Sequence, residues 1–123
     1  MAGLIYHIAL AEDWERAQAA GEYTTSTRGQ SLEQVGYLHA SQADQVAGVA
    51  NAVYQDAPDL VVLTIDTDRV RAEIRLEQPA GMDEAFPHIY GPLNTDAVTE
   101  VRPFRPGPDG RFTFVSWRFT SGA

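Results

Sequence analysis

The chain has no cysteine and no lysine among its 123 residues. Without cysteine it can form neither disulfide bonds nor metal sites with thiolate ligands. Without lysine, a Schiff-base mechanism and a phosphate-binding loop that depends on lysine are both excluded. All nine basic side chains are arginines, and with 17 acidic residues the formal net charge is −8. Because nucleic-acid backbones repel acidic proteins, general binding to DNA or RNA is not expected.

Long apolar segments are also missing. No run approaches the ~20 apolar residues that a membrane-spanning helix needs, and no basic segment followed by an apolar run opens the chain. We therefore expect no membrane partner and a cytoplasmic location. Hydrophobic residues make up 44% and charged residues 21% of the chain, which is typical of a folded domain. The length predicts a single domain over residues 1–123.

Apolar periodicity predicts several strands and two helices. A helix is expected over 11–20, ended by Gly21. Polar loops are expected at 22–34 and 78–86. Strands are expected from the β-branched and aromatic stretches at 4–9, 35–40, 60–66, 72–77, 88–90, 97–104 and 111–119. The order predicts an α+β fold with two helices and a bent or split, mostly antiparallel sheet.

The second helix is expected directly after Ser41. This serine resembles a helix N-cap, and Asp44 stands three residues later in a position like that of a capping box. Helical spacing on one face then follows at Val46, Val49, Ala50, Val53 and Tyr54.

All three histidines lie in short apolar stretches: Tyr6-His7-Ile8, Leu38-His39-Ala40 and Pro87-His88-Ile89. A polar, titratable ring is costly in such surroundings unless it has a partner. We therefore predict that the three imidazoles share one polar site. The alternative for His7 is a core histidine bonded to a backbone carbonyl.

His39 stands two residues before the predicted N-cap. A helix N-terminus attracts anions through its free N–H groups, so His39 and Ser41 are candidates for contact with a phosphate or a ribose hydroxyl. The alternative is that Ser41 only caps the helix. Arg28, in the polar loop, is a candidate clamp for a phosphate, and its alternative is a solvated arginine.

The run from Phe86 to Asn94 holds two prolines and a glycine around His88 and Tyr90, which alternation places on one face. A rigid frame of this kind suits hydrogen bonding to a polar ligand, and a stiff turn with an aromatic core plug is the alternative. Glu77 is our first candidate for a catalytic carboxylate because it directly precedes the loop 78–86; its alternative is a surface charge.

A metal site is not expected. Three imidazoles and a water form a known zinc pattern, but the three histidines come from separate strands with no short His-x-x-x-His spacing. Gly-x-Ser-x-Gly and Gly-x-Gly-x-x-Gly motifs are absent as well.

Taken together, Tyr6-His7-Ile8, the stretch from Gly36 to Ser41 and the stretch from Phe86 to Leu93 resemble a small bacterial family known as domain of unknown function 952. The resemblance covers about residues 4–114 and leaves the C-terminal strand and tail, 115–123, outside. It implies a fold like that of the ADP-ribosyltransferases, including the tRNA 2′-phosphotransferases.

The resemblance implies an NAD or ADP-ribosyl ligand. By position His7 matches the first-strand element of that superfamily, and His39-Ala40-Ser41 resembles its second-strand motif. His88 or Tyr90 occupies the third element, often a glutamate, or Glu77 acts nearby. The residue patterns and the resemblance together give His39, His88 and Glu77 as candidate catalytic residues, and His7, His39, Ser41, Tyr90 and Arg28 as candidate ligand-binding residues. Transfer or cleavage at the anomeric carbon, a non-catalytic binding module and a His-based metal-dependent hydrolase are the alternatives.

Overall fold

Short strands dominate the structure, a computed structural model that describes residues 3–57 and 59–115. Its helices are α1 (Ala11–Ala20), α2 (Leu32–Val35) and α3 (Val46–Val53). Its strands are β1 (Leu4–Leu10), β2 (Glu22–Tyr23), β3 (Thr25–Thr27), β4 (Gln30–Ser31), β5 (Leu38–His39), β6 (Leu60–Asp66), β7 (Glu73–Glu77), β8 (Phe86–Tyr90), β9 (Leu93–Asn94) and β10 (Val98–Phe104).

Two three-stranded sheets form the framework. The first has the order β1-β6-β10 and the second the order β5-β8-β7, while β2 pairs with β9 and β3 with β4. Every one of these pairings is antiparallel. This confirms the predicted α+β class and the split, mostly antiparallel sheet.

Strands β1 and β6 of the first sheet are buried on both faces, as the nearly continuous apolar run of β6 predicts, whereas the edge strand β10 is mostly exposed. Leu63 and Ile65 of β6 enter a core cluster shared with the second sheet and α1, whereas Val62 enters a second cluster under α3. The alternation of β1 divides Ile5 and Tyr6 between the same two clusters. Each fully buried aliphatic side chain contributes about 1.5–3 kcal/mol, so β6 anchors the domain.

Helix α1 confirms the predicted helix, and it ends at Gly21, whose φ of 83° is left-handed. The predicted loop at 22–34 is wrong: it holds β2, β3, β4 and α2. These polar residues form backbone pairings, which a pattern of apolar residues does not predict. The segment is also held by the buried Ser26 hydroxyl, which donates to the Tyr37 carbonyl at 2.5 Å. The prediction of two helices therefore missed the four-residue α2.

The predicted N-cap at Ser41 is also wrong. Ser41 is buried and exchanges two backbone hydrogen bonds with Tyr6, of 2.7 and 2.8 Å. A 3₁₀ turn over Ala43–Gln45, closed by a capping box of Gln42 and Gln45, leads instead into α3. The backbone of Ser41 is paired with Tyr6 of β1, so the capping role passes to Gln42, the next residue.

The second and last predicted strands are shorter than expected. The stretch 35–40 contains only β5, because α2 continues to Val35 and ends at Gly36 with a φ of 99°. Residues 111–115 form no strand, although Phe112 packs in the cluster under α3. Residues 116–119 of the predicted last strand lie outside the described residues. In the described part of the chain, no helix has the length and apolar character to cross a membrane.

Candidate functional site

One face of the second sheet gathers the predicted chemistry, and we call it the site face. Strand pairing sets His39 of β5 opposite His88 of β8, and His88 opposite Arg75 of β7. Side chains two residues apart share a face, which adds Glu77 and Tyr90. The opposite face enters the core with Leu38, Ile74 and Ile89.

Glu77, His88 and Tyr90 form one hydrogen-bonded cluster. His88 donates its Nδ1–H to Glu77 Oε1 at 2.8 Å, and the Tyr90 hydroxyl donates to the same oxygen. The Tyr90 bond, followed by the His88 bond, lowers the pKa of Glu77, while the carboxylate raises the pKa of Tyr90. Arg75 lies 4.5 Å from the Tyr90 ring centroid. The side chain of Glu77 is 37% exposed, so the two hydrogen bonds fix the position of the carboxylate while solvent still reaches it.

His88 is enclosed. Its side chain is buried, and the Tyr37 ring stacks on it at 3.9 Å between centroids and 18° between planes. Among the residues that the structure describes, no group forms a hydrogen bond with the buried Nε2. A buried polar atom without a partner is uncommon and calls for an explanation.

His39 lies on the wall of a cavity of about 570 Å³ between the site face and α3, which we call the α3 cavity. The volume is in the range of small-molecule sites. Burial, helped by the nearby His88, lowers the pKa of His39 to about 4, so its ring is neutral at pH 7. The wall is formed by Ser26, Thr27, Gln30, Val35, Tyr37, His39, Asp44, Gln45, Gly48, Val49, Ala52, Val53, Met82, Glu84 and Phe86.

The charges on this wall are acidic. Asp44 and Glu84 both line it, and no arginine is among the lining residues that the structure describes. Gln45 Nε2 donates to the Ala85 carbonyl at 2.8 Å and to Glu84 Oε1 at 3.3 Å. The α3 cavity therefore offers aromatic faces, neutral donors and acceptors, and negative charge.

His7 stands behind the cavity wall. Its Nδ1–H donates to the His39 carbonyl at 2.5 Å, so the neutral ring accepts the Tyr23 hydroxyl at Nε2, 2.9 Å away. Burial lowers the pKa of His7 to about 4 despite the bond to His39. Both ring nitrogens are used inside the protein, so His7 supports His39.

The three histidines lie next to one another in space, in the order His7, His39, His88. His7 contacts the backbone of His39, and the His39 ring lies 5.8 Å from the His88 ring. Within residues 3–57 and 59–115, no group of three or more His, Asp or Glu side chains has the arrangement of a metal site.

Arg28 and Ser41 are bonded to other parts of the protein and do not line the cavity. Arg28 forms an ion pair with Asp56 at 2.7 Å and donates to the Val53 carbonyl at 3.1 Å, at the end of α3. Neither Arg28 nor Ser41 lines the α3 cavity. The candidate site thus combines His39, His88, Tyr90 and Glu77 and leaves these two outside.

Two aromatic residues of the site were missed from the sequence. Tyr37 covers His88 and lines the cavity, and Phe86 lines it beside His39 with 5.2 Å between ring centroids. Period-two alternation was a usable signal, since Tyr37 precedes His39 by two residues and Phe86 precedes His88 by two. Tyr23, whose hydroxyl donates to His7, is not related to any histidine by such an alternation.

Comparison with known proteins assigns this chain to a family. The profile of the family described as protein of unknown function (DUF952) matches residues 8–101, so the chain belongs to that family. Protein CC0527 of Caulobacter crescentus has the same fold: in its crystal structure the TM-score is 0.78 at 26% identity, over 90% of this chain and 94% of that one. The solution NMR structure of CC0527 gives 0.74 at 26% identity, over 89% and 91%. No curated protein matches.

Proposed function

We propose that the α3 cavity binds NAD or a related ADP-ribosyl compound. The observation that carries this proposal is the His39 ring, which is neutral and lines a cavity of about 570 Å³. A neutral imidazole can both donate to and accept from a ribose hydroxyl. The proposed likeness to the ADP-ribosyltransferase fold supports the same ligand class.

The wall charges orient this ligand. Pyridinium in NAD is cationic and aromatic, so it fits beside Tyr37, Phe86 and the carboxylates of Asp44 and Glu84. The diphosphate is anionic and is repelled by the same carboxylates. We therefore place the nicotinamide riboside end inside the cavity and the diphosphate toward its mouth.

In this proposal the residues divide into three groups. His39, Tyr37 and Gln45 contact the ligand, with Glu77, His88 and Tyr90 one layer behind. His7, Ser41 and Arg28 hold the framework through their bonds inside the protein. We propose no metal, no membrane or general nucleic-acid partner, and a cytoplasmic location.

Chemical-shift mapping tests the ligand. NAD, ADP-ribose and nicotinamide are titrated separately into ¹⁵N-labelled protein at up to millimolar concentration. We expect saturable shifts at His39, Tyr37 and Gln45, and the Arg28→Gln variant should bind with unchanged affinity. If none of the three compounds moves these residues, the proposal is wrong.

A non-catalytic binding module is the second candidate. It is favoured by the position of Glu77, which is bonded to His88 and Tyr90 and does not line the α3 cavity. Incubation with NAD and mass spectrometry separates the two candidates, because only an enzyme releases nicotinamide stoichiometrically.

A further inference from the structure

The unpartnered Nε2 of His88 is the starting point. His88 is 3% exposed, and its Nδ1 is occupied by Glu77 at 2.8 Å. A carboxylate that accepts the Nδ1–H fixes the tautomer of a neutral imidazole and leaves a lone pair at Nε2. This is the arrangement by which a carboxylate prepares a histidine to take a proton.

The order of strands places His88 between Glu77 and His39. Strand β8 lies between β7, which carries Glu77, and β5, which carries His39. Nδ1 of His88 is bonded to Glu77, and the His39 ring lies 5.8 Å from the His88 ring. His39 and Tyr37 both line the α3 cavity and both flank His88. His88 therefore lies directly behind the cavity wall.

We propose that His88 is the base that activates a water molecule against the anomeric carbon of the ligand, with Glu77 and Tyr90 as positioning residues. This inference rests on the proposed function, because the α3 cavity must first hold an ADP-ribosyl compound.

The proposed step balances without a further reactant. The water oxygen forms a bond to ribose C1′ while the C1′–N bond to nicotinamide breaks. The electron pair of that bond returns to the pyridine nitrogen, which becomes neutral. One water proton passes to His88 Nε2 and is later released to solvent. Glu77 stabilises the imidazolium, and Tyr90 holds the carboxylate in place.

Tyr37 controls access in this arrangement. Its ring stacks on one face of His88 and also lines the cavity, so Tyr37 separates His88 from the cavity, and the proposed step requires this side chain to turn aside. Tyr37 lies between Gly36, the C-cap of α2, and Leu38, the first residue of β5, and belongs to no strand. The proposal thus needs a side-chain movement and no rearrangement of the sheet.

ADP-ribose is the probe that reports on His88 without turnover. In hydrolysis, the oxygen of the attacking water ends as the anomeric hydroxyl oxygen of ADP-ribose. ADP-ribose therefore presents that oxygen to His88, whereas NAD carries nicotinamide at the same carbon. With ¹⁵N-histidine labelling, we expect ADP-ribose to move the Nε2 resonance of His88 upfield, in the direction of protonation. ADP, which lacks the second ribose, should leave that resonance in place.

A pair of variants separates positioning from structure. Glu73 and Glu77 lie on one strand and one face, but Glu73 binds Arg75 at 3.1 Å and Glu77 binds His88. Glu77→Gln should remove the fixed Nδ1–H tautomer from the His88 spectrum and slow nicotinamide release from NAD by roughly 10²-fold, at the low end of general-base effects. Glu73→Gln should change neither.

The outcomes are distinct. Shifts at His39 and Tyr37 with ADP-ribose, but none at His88 Nε2, would overturn this inference and leave the proposed binding function intact. So would binding of NAD without release of nicotinamide. If neither compound shifts the cavity wall, the proposed function fails, and this inference fails with it.

Discussion

The His7 imidazole connects the two sheets: from β1 of the first sheet, its Nδ1–H donates to the carbonyl of His39 in β5 of the second, at 2.5 Å. Tyr23 occupies the other ring nitrogen at 2.9 Å. The backbone of the cavity wall is thereby tied to a fully bonded group in the core. Stability and the geometry of the site consequently depend on the same neutral ring.

Acid should destabilise the protein before its carboxylates titrate. Burial holds the pKa of His7 at about 4, below the value of 6.5 that a histidine has in the unfolded chain. The unfolded state therefore binds the proton first, and stability is complete above pH 6.5 and falls as the pH drops toward 4. Between pH 6.5 and 5 we expect a loss of about 2 kcal/mol from His7, with His39 acting in the same direction. Urea unfolding at several pH values measures it, and a constant free energy of unfolding from pH 7 to 5 would contradict it.

Tyr23→Phe should leave His7 Nε2 without its donor while keeping the aromatic packing. A buried acceptor left without a partner costs about 1–3 kcal/mol. Tyr37→Phe is the matched control, because the ring that stacks on His88 is kept when the hydroxyl is removed, and its cost should stay within about 0.5 kcal/mol. Chemical denaturation measures the free energy of unfolding of both variants. Equal losses would show that the Tyr23–His7 hydrogen bond does not stabilise the protein.

The pKa of Tyr90 should report on Glu77. The Glu77 carboxylate raises this pKa through its hydrogen bond with the hydroxyl. In Glu77→Gln the pKa of Tyr90 should therefore fall back toward 10, the usual value for tyrosine. NMR titration of the Tyr90 ring carbon beside the hydroxyl follows this change. Glu73→Gln is the control, and an equal drop in that variant would mean that the general charge of the strand is responsible.

Gly48→Ala should stabilise the protein. Gly48 lies within α3, and a Cβ built there meets no atom within 4 Å. Replacing an unconstrained helical glycine stabilises by about 0.5–1 kcal/mol. The contrasting variant is Gly36→Ala, because Gly36 has a φ of 99° at the end of α2, where alanine is strained. Thermal unfolding should move the two variants in opposite directions, and a lower melting temperature for Gly48→Ala would contradict the account.

Local patterns predicted the framework well. The apolar run of β6, the alternation of β1 and the Gly21 stop of α1 all depend on neighbours in sequence, and each is confirmed. The segment 22–34 was not predictable in the same way, since its pairings reach Leu93 and Asn94 in β9. Ser41 shows the same limit: it has the residue type of an N-cap, but a bond to distant Tyr6 determines its role.

The site was predictable in its residues more than in its arrangement. Alternation placed His88 and Tyr90 on one face, as the structure has them. Glu77 was the first candidate for a catalytic carboxylate, but its bonds to these two residues, 11 and 13 positions away, were not predictable. Arg28 had the chemistry of a phosphate clamp, yet Asp56, 28 residues later, pairs with it. Long-range partners decide which polar residues remain free for a ligand, and sequence periodicity does not contain them.

The central claim is that the α3 cavity binds an ADP-ribosyl compound, and blocking the cavity tests it most directly. Gly48 lines the cavity, and a Cβ added there meets no atom within 4 Å, so the side chain of Gly48→Leu should project into the cavity and narrow it. Calorimetric titration with ADP-ribose should give saturable one-to-one binding to the unsubstituted protein and clearly weaker binding to the folded Gly48→Leu variant. Equal binding to both proteins, or no binding to the unsubstituted one, would contradict the account.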